Sequence, residues 1–582
     1  MNPFDDSEDE HVRQVPVNDG NDGSDDGDVD PLDAFMSNLE GKEECSPKRM
    51  RIRSDTGFEN DDDDETPVEM MERVIRSRDG AVKDFSGSED ESNHAKRSID
   101  SLPAVDHSAV DYPAFRKDFY QEHASIVLLS HGEVSELRKA LGVTVSGSQI
   151  PKCVCSFGHL NLPDPILSVI RYLEFSTPTA IQSQAIPCAL SGRDLIGIAM
   201  TGSGKTLAYV IPAIVHVMNN VATGAPRVAI VCPTRELAIQ IEQEIYRFAK
   251  KGKDKFSSIA LTGGLSKYEQ FKQLVKGCDV VVGNPGRMID LIQMKRGLDL
   301  GGVSMCVLDE ADRMFKMGFE SQVRAIVQRM RPDRQMLMFS ATMPPRIEKL
   351  AREVLNDPIR VVVGAIGQAA NVIDQNVFIC HSEEEKFVWM SATIPALLAG
   401  GDRTLIFVNS KTTGEELLRR INSFTPAGVG SIHGDLDQTE RMRLMNEFRS
   451  GKCPLLIATD VAARGIDVHG IACVIEFDAA RDFDTHTHRI GRTGRAGVPG
   501  ISWTLVSDTD SKIAAHIVES IEALGMKNVP PDLLALAMKH APFRASRTIE
   551  SPPHKQRPPS EDPASWESLA SHFKQGASES LS

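Results

Sequence analysis

The chain has 582 residues, of which 41% are hydrophobic and 5% aromatic, and its 82 acids outnumber 65 Lys and Arg for a net charge of −17. That length suggests two to four domains with ample chain to bury cores. There is no apolar leader and no run of about 18 apolar residues, so neither secretion nor a membrane span is indicated.

Net acidity argues at first against a nucleic-acid partner, but the charge is unevenly placed. Residues 1–100 carry 30 acids and 12 bases, a balance of −18, which leaves the other 482 residues at +1. The acidic arm, with Asp61-Asp62-Asp63-Asp64-Glu65 at its centre, is expected to be disordered. Ser7 and Ser88 each precede an acidic triplet, the pattern of an acid-directed phosphorylation site. Lys48-Arg49-Met50-Arg51-Ile52-Arg53 reads either as a nuclear-import address or as local charge balance. Asp30-Pro31-Leu32-Asp33-Ala34-Phe35-Met36 is an apolar island of docking-motif type. Ten cysteines are scattered without zinc spacing, so free thiols in a reducing compartment are expected.

Residues 101–156 mix aromatic and charged side chains, among them Tyr112, Phe115, Phe119 and Tyr120, and should pack as an N-terminal flank on the domain that begins after them. The segment 157–363 then alternates. Strand-like apolar runs at 194–199, 227–232, 279–283, 303–308, 335–339 and 359–363 are separated by helical stretches such as 236–250 and 319–330. This is the pattern of a doubly wound parallel sheet. Its first run breaks into Thr201-Gly202-Ser203-Gly204-Lys205-Thr206, and a helix pattern comes next. Strand, glycine-rich turn and helix are the context of a phosphate-binding loop. The two glycines let backbone N–H groups face an anion, and the helix aims its positive end at the same place. Lys205 then reaches the β- and γ-phosphates of a nucleoside triphosphate, and the Thr206 hydroxyl ligates Mg²⁺. Ala199 stands where such loops commonly begin with glycine.

Val307-Leu308-Asp309-Glu310 ends a buried strand with two acids. In an open α/β sheet, ligands bind beyond the carboxyl ends of the strands. Asp309 is placed there to hold Mg²⁺ opposite Thr206, and Glu310 to polarise the attacking water. A connector at 364–374 leads to a second alternating region at 375–541, with runs at 375–379, 404–408, 429–432, 454–458, 473–477 and 501–506 and no second Gly-Lys-Thr loop. From about residue 542 the chain turns into a Pro/Ser-rich tail.

The set AMTGSGKT (199–206), PTRELA (233–238), Asp309-Glu310-Ala311-Asp312, Ser340-Ala341-Thr342, TDVAARGID (459–467) and HRIGRTGR (488–495) resembles the DEAD-box ATP-dependent RNA helicases, as does TPTAIQ ending at Gln182. The resemblance covers about residues 155–541. It implies two tandem RecA-like domains with ATP in the cleft between them and RNA across both.

By the same resemblance, Gln182 reads the adenine edge with Phe157 and Phe175 near the base. Thr201, Gly202, Ser203 and Gly204 cradle phosphate, and Asp467 meets the ribose. Arg492 and Arg495 are the arginine fingers. Ser340 and Thr342 couple the cleft to RNA through His488. Phosphates of RNA meet Pro233, Thr234, Arg235, Gly263, Gly264, Pro285, Gly286 and Arg287 from the first domain, and His433, Gly434, Gln438, Arg441 and Thr459 from the second. Glycine turns and basic residues at strand ends suit binding that is blind to base sequence.

Asn284 replaces the family's usual Thr, and Ala180 its commoner Pro. The segment from Asp478 to His488 departs further, lacking the Asp-x-Pro and Tyr-Val-His that are usual there. With DPLDAFM and the stretch 536–547, that departure looks like the splicing-associated branch linked to the branch-site snRNP. The expected function is an RNA-dependent ATPase that unwinds short duplexes locally. It would act as a monomer in the nucleus or the cytoplasm, with branch-site snRNP proteins as partners and no membrane. The alternative is an ATP-gated clamp, annealer or assembly scaffold, against which an intact Glu310 and both arginines weigh.

Overall fold

The computed structural model describes residue 102 and residues 105–548, apart from 223, 253–255, 365–372, 426–427, 464–469, 495–498 and 524–528. Asp467, Arg495, the acidic arm with its basic cluster and docking island, most of the connector and the region beyond 548 therefore lie outside the described residues.

Fourteen strands among the described residues form two sheets. The first contains β1 (Val143–Ser146), β2 (Leu195–Ile198), β3 (Val228–Val231), β4 (Ser258–Leu261), β5 (Val280–Gly283), β6 (Met305–Leu308), β7 (Gln335–Ser340) and β8 (Ile359–Val363). Their order is β1-β8-β2-β7-β6-β3-β5-β4, all parallel except β1, which runs antiparallel to β8. Central strands such as Val280-Val281-Val282 and Met305-Cys306-Val307-Leu308 are buried on both faces. Parallel strands covered by helices on each side read as continuous apolar runs for that reason.

The six runs expected from the sequence all form strands, and two more strands join them. β4 is the edge strand, and its burial alternates, with Ser258 on the half-buried face donating to Glu242 of the helix Arg235–Gly252. β1 comes from the flank, outside the strand–helix alternation, and closes the opposite edge. The rest of the flank lies along the back of this lobe. The Phe119 and Tyr120 amides both donate to the Leu190 carbonyl, at 2.7 and 3.0 Å. Phe115 and Phe119 meet His216 edge-on, and the Arg331 guanidinium lies over Tyr112 and Phe115.

The second sheet contains β9 (Ile373–Cys380), β10 (Arg403–Val408), β11 (Val429–Ile432), β12 (Leu455–Thr459), β13 (Ile471–Glu476) and β14 (Gly500–Ser507), ordered β11-β12-β10-β13-β14-β9 and wholly parallel. Apolar clusters cover its two faces, one around Ile406, Ile457 and Ile475 and the other around Leu405, Leu456 and Val474. Two helices at the C-terminal end, Pro531–Ala537 and Ala541–Thr548, pack with Ser511–Ala523 and bury Leu533 and Phe543. The first residues of the expected tail are thus folded. The apolar side chain of Phe543 outweighs the polar composition around it.

Candidate functional site

In the first sheet β2, β7 and β6 are neighbours. The loops after them carry Thr201–Thr206, Ser340–Thr342 and Asp309–Glu310, so the side chains expected at the cleft emerge along one edge. With parallel strands spaced about 4.8 Å apart, the glycine-rich loop and the acid pair stand roughly 10 Å from each other across β7.

The loop turns because Gly202 and Gly204 adopt φ of 81° and 91°. Gly204 also lies so close to the Thr179–Gln182 segment that a Cβ would stand 2.5 Å from the Gln182 amide nitrogen. Helix Lys205–Asn219 starts immediately after it. Lys205 is buried, and its ammonium donates to the Ala199 carbonyl at 2.8 Å. Burial lowers its pKa, opposed by Asp309, Asp312 and Glu310. Asp309 accepts from the Tyr209 hydroxyl at 2.8 Å and from the Glu310 amide at 2.9 Å. Burial pushes its carboxyl up to about 6 against the pull of Lys205, while Glu310 adds to the rise. Glu310 itself sits at φ 50°, ψ 48°, the left-handed region, at the start of helix Ala311–Lys316. That conformation costs a non-glycine residue about 1 kcal/mol.

These residues fit a nucleoside triphosphate with Mg²⁺. The Thr201 and Ser203 hydroxyls are buried without a protein partner, and the loop around them is closed to any Cβ at Gly204. The described residues hold no cluster of three or more His, Cys, Asp or Glu able to cage a metal.

Gln182 is buried with both ends of its amide engaged. Its oxygen accepts from the Thr179 amide at 3.0 Å, and its nitrogen donates to the Gly204 carbonyl at 2.9 Å. The side chain expected to read a base therefore also ties its own helix to the phosphate loop. Phe157 is buried in a short helical turn, whereas Phe175 remains 38% exposed.

A second layer joins the acid strand to β7 and to the other lobe. The Asp312 carboxylate accepts from the Thr342 amide and hydroxyl, both at 3.0 Å, and the Asp312 amide donates to the Ser340 hydroxyl at 3.2 Å. Arg313 pairs with Glu310 at 3.2 Å and donates through Nε to Nδ1 of His488, also at 3.2 Å. Burial first, then Arg313, Arg492, Lys205 and Lys316, holds His488 far below its ordinary pKa. A neutral imidazole that accepts at Nδ1 carries its proton on Nε2, which lies 3.8 Å from the Asp312 carboxylate. His488 belongs to helix Phe483–Ile490, which ends just before Arg492. Arg492 is buried at the same seam, and its Nε donates to the His488 carbonyl at 3.3 Å.

The residues expected to meet RNA form two groups. In the first lobe the Arg235 guanidinium lies under Gly263 and Gly264, and Arg287 donates to the Leu265 carbonyl at 3.0 Å. Pro233 and Thr234 begin the turn after β3, and Pro285 and Gly286 open helix Pro285–Ile292 after β5. In the second lobe His433 and Gly434 come directly after β11, and Thr459 ends β12. Gln438 and Arg441 are placed differently from an open phosphate contact. Both are buried and reach Glu236 of the first lobe, at 3.3 and 2.8 Å. Glu236, Arg313, Tyr209 and Lys316 were not singled out in the sequence. Only the position of Arg313, three residues after Glu310 and so on one helix face with it, could have signalled a role.

Residues 179–350 match the DEAD/DEAH box helicase family, and residues 386–497 match the helicase conserved C-terminal domain. The chain is 42% identical over 551 residues to DEAD-box ATP-dependent RNA helicase 24 of Arabidopsis thaliana, covering 89% of this chain and 71% of that one. The chain belongs to the DEAD/DEAH box helicase family. Its two parallel sheets are the two RecA-like domains of such helicases. It is also 43% identical over 541 residues to ATP-dependent RNA helicase DDX42 of Homo sapiens, covering 90% of this chain but 57% of that protein, so it spans little more than half of this relative's length. Among solved structures, S. cerevisiae Dbp5 bound to RNA and ADP BeF3 superposes with a TM-score of 0.57 at 27% identity, over 68% of this chain and 99% of that one. No described helix is long and apolar enough to cross a membrane.

Proposed function

We propose that the chain is an RNA-dependent ATPase that separates short RNA duplexes locally, within pre-mRNA splicing in the nucleus. The observation that supports this best is the convergence of Lys205, Asp309 and Glu310 on one side of a seam with His488 and Arg492 on the other. When bound, ATP with Mg²⁺ supplies the phosphoanhydride and the charge-neutralising cation. Thr201–Thr206 bind the phosphates, and Thr206 and Asp309 hold the metal. Gln182, with Phe157 and Phe175, selects adenine. Glu310 orients and deprotonates the attacking water. Arg492 stabilises charge developing on the transferred group, joined by Arg495, while Asp467 meets the ribose.

RNA then runs along Thr234, Arg235, Gly263, Gly264 and Arg287 in the first lobe and His433, Gly434 and Thr459 in the second. Pro233, Pro285 and Gly286 shape the turns of that track. Gln438 and Arg441 tie its two halves together through Glu236. Ser340, Thr342 and His488 link RNA to the nucleotide, because Asp312 binds the first two and Arg313 the third. The proposed division is an acidic arm (1–100), a flank (101–156), two helicase domains (157–363 and 375–541) joined by 364–374, and a tail from 542 whose first residues fold onto the second domain as helix Ala541–Thr548. Branch-site snRNP proteins are the proposed partners of a monomer.

Phosphate release from ATP, with and without single-stranded RNA, tests the activity. RNA should stimulate turnover strongly, and Glu310→Gln should abolish that stimulation while ATP still binds. A wild-type rate indifferent to RNA would sink the reading. Affinity purification from nuclear extract should recover branch-site snRNP proteins, and recovery of ribosomal or decay factors alone would overturn the splicing assignment.

A further inference from the structure

Two short helices face each other across the seam between the lobes. One, Ala311–Lys316, starts directly after Asp309 and Glu310; the other, Phe483–Ile490, ends one residue before Arg492, at its cap Gly491. Arg313 and Lys316 are three residues apart on the first helix, and Asp484 and His488 are four apart on the second, so each pair shares a helix face. The structure brings these faces together at two points. Arg313 donates to His488 at 3.2 Å. One turn away, the Lys316 ammonium donates to Asp484 at 3.0 Å and to Asp482 at 3.1 Å. A single contact fixes a separation, whereas two contacts a turn apart fix a direction.

Asp482 passes this grip directly to the backbone. It caps the N-terminus of its helix, accepting from the Thr485 amide and hydroxyl, both at 2.9 Å. The chain stays hydrogen-bonded through the far end, where the Gly491 amide donates to the Thr487 carbonyl and the Arg492 amide to the Arg489 carbonyl. Eight helical residues make a lever about 12 Å long. A pivot of about 10° at the clasp would therefore move Arg492 by about 2 Å. Misplacement by about 1 Å can cost a positioned group a hundredfold in rate.

We propose that Lys316 is a positioning residue for ATP turnover: by gripping Asp482 and Asp484 it orients the helix that delivers Arg492 to the cleft. The proposal rests on reading the chain as an ATP-hydrolysing helicase. Lys316 lies in the same seam as the chemistry, lining with Arg313, His488 and Arg492 a cavity of about 30 Å³. The titration of the partners agrees with the pairing. Burial works to lower the Lys316 pKa, but the bonds and charges of Asp484 and Asp482 outweigh it and raise the value. Burial works to raise Asp482, and the Thr485 amide together with Lys316 lowers it instead. All three side chains are more than a third exposed. Ion pairs at such sites shift an equilibrium by only about one-and-a-half- to fivefold each. Neutralising Lys316 should therefore have a small effect. Reversing its charge, which replaces two attractions with two repulsions, should have a large one.

The test measures RNA-stimulated ATP hydrolysis in the full chain. Lys316→Asp should lower kcat about tenfold with little change in the KM for ATP, because the clasp orients Arg492 on the second lobe, whereas the phosphate loop that binds ATP is held within the first. Its melting temperature should stay close to that of the wild type. Combining Lys316→Asp with Asp484→Lys and Asp482→Ser, which keeps a capping oxygen, restores a pair of opposite charges. That triple variant should recover most of the wild-type kcat, which a merely structural loss would not do. Retention of more than half the wild-type kcat by Lys316→Asp, or failure of the triple variant to recover, overturns the proposal.

Energy transfer between dyes on the two lobes, with an ATP analogue and RNA at saturation, separates this result from the underlying functional reading. A wild type that closes but does not turn over ATP defeats the functional reading and the proposal with it, whereas a wild type that closes and turns over, beside a Lys316→Asp variant that keeps both its rate and the short distance, defeats the proposal alone. A wild type that neither closes nor turns over defeats both.

Discussion

The two lobes share a parallel-sheet architecture and differ in what they bury. In the first, Lys205, Asp309, Glu310 and Asp312 lie buried beyond the ends of the two strands that flank β7, and burial pushes up the carboxyls of Asp194, Glu242 and Asp309, while the more exposed Asp333 is lowered by its bond to Arg331. In the second, the described carboxyls with shifted pKa values, Asp435, Glu440, Asp482 and Asp508, are all lowered, each bonded to a cation or a backbone amide. What the second lobe buries facing the first is basic or neutral, His488 and Arg492, while its buried acid Glu476 is bonded within the lobe to His486 and Arg489. One fold thus serves two tasks, and strand-end residues, not the sheet, decide which. The first lobe is built to hold a charged ligand at some expense in stability. The second is built to complete a site that it cannot form alone.

That division predicts a separation of binding from turnover. Arg492→Ala should cut hydrolysis by about 10³ or more, as loss of an arginine finger does, yet leave ATP affinity within a few-fold of wild type. Rapid-quench rates and ATP titrations check it, and a loss of binding equal to the loss of rate would erase the distinction between the lobes. Glu310→Gln should lower turnover by about 10², again with binding intact. Lys205→Ala should show the opposite signature, losing ATP binding along with the rate.

Nucleotide choice sharpens the comparison within the first lobe. ATP should be preferred to GTP by about tenfold or more, because an amide matches the N6/N7 edge of adenine and mismatches the keto face of guanine. Gln182→Ala should weaken ATP and also loosen the phosphate loop, since its amide bonds the Gly204 carbonyl. Equal use of ATP and GTP by the wild type would remove Gln182 from base selection.

The smallest expected effect concerns stability. Burial pushes Glu242 up to about 6, against a hydrogen bond donated by Ser258. An acid whose pKa rises on folding holds its proton more tightly in the folded state. Stability is therefore lost as pH climbs from the ordinary value of 4.5 through about 6, and stays lost above that. Glu242→Gln should raise first-lobe stability at pH 8 by at most about 2 kcal/mol and flatten that part of the profile. Denaturant unfolding at pH 5 and pH 8 measures both, and an unchanged slope would show that Glu242 is already well solvated.

Much of the fold was legible because both sheets are parallel apart from β1 and their central strands are covered on both faces, so that each central strand announces itself as an apolar run. β1 and β4 were missed for different reasons: one is antiparallel and precedes the alternating pattern, and the other is an edge strand whose residues alternate between buried and half-buried and so form no continuous apolar run. At the site, Thr201–Thr206 and Asp309–Glu310 were legible because a phosphate loop and a strand-end acid pair are local patterns. The burial of Arg441, expected to meet phosphate, against Glu236 was not legible, because its partner lies 205 positions earlier in the chain.

By itself the sequence determined the local chemistry: a loop whose glycines free its amides, a lysine and a threonine at a helix start, and two acids closing a buried strand. Such features depend on neighbours a few residues away, so spacing alone specifies them. The tertiary structure decided how they combine. Strand crossovers set β7 between the loop and the acids, carrying Ser340 and Thr342 into the seam. The meeting of the lobes gave Arg313 the ring of His488, Arg441 the carboxylate of Glu236, and Lys316 a pair of aspartates more than 160 positions away. Contacts at that separation leave no periodicity in the chain, because their geometry arises only when two independently formed surfaces are brought face to face.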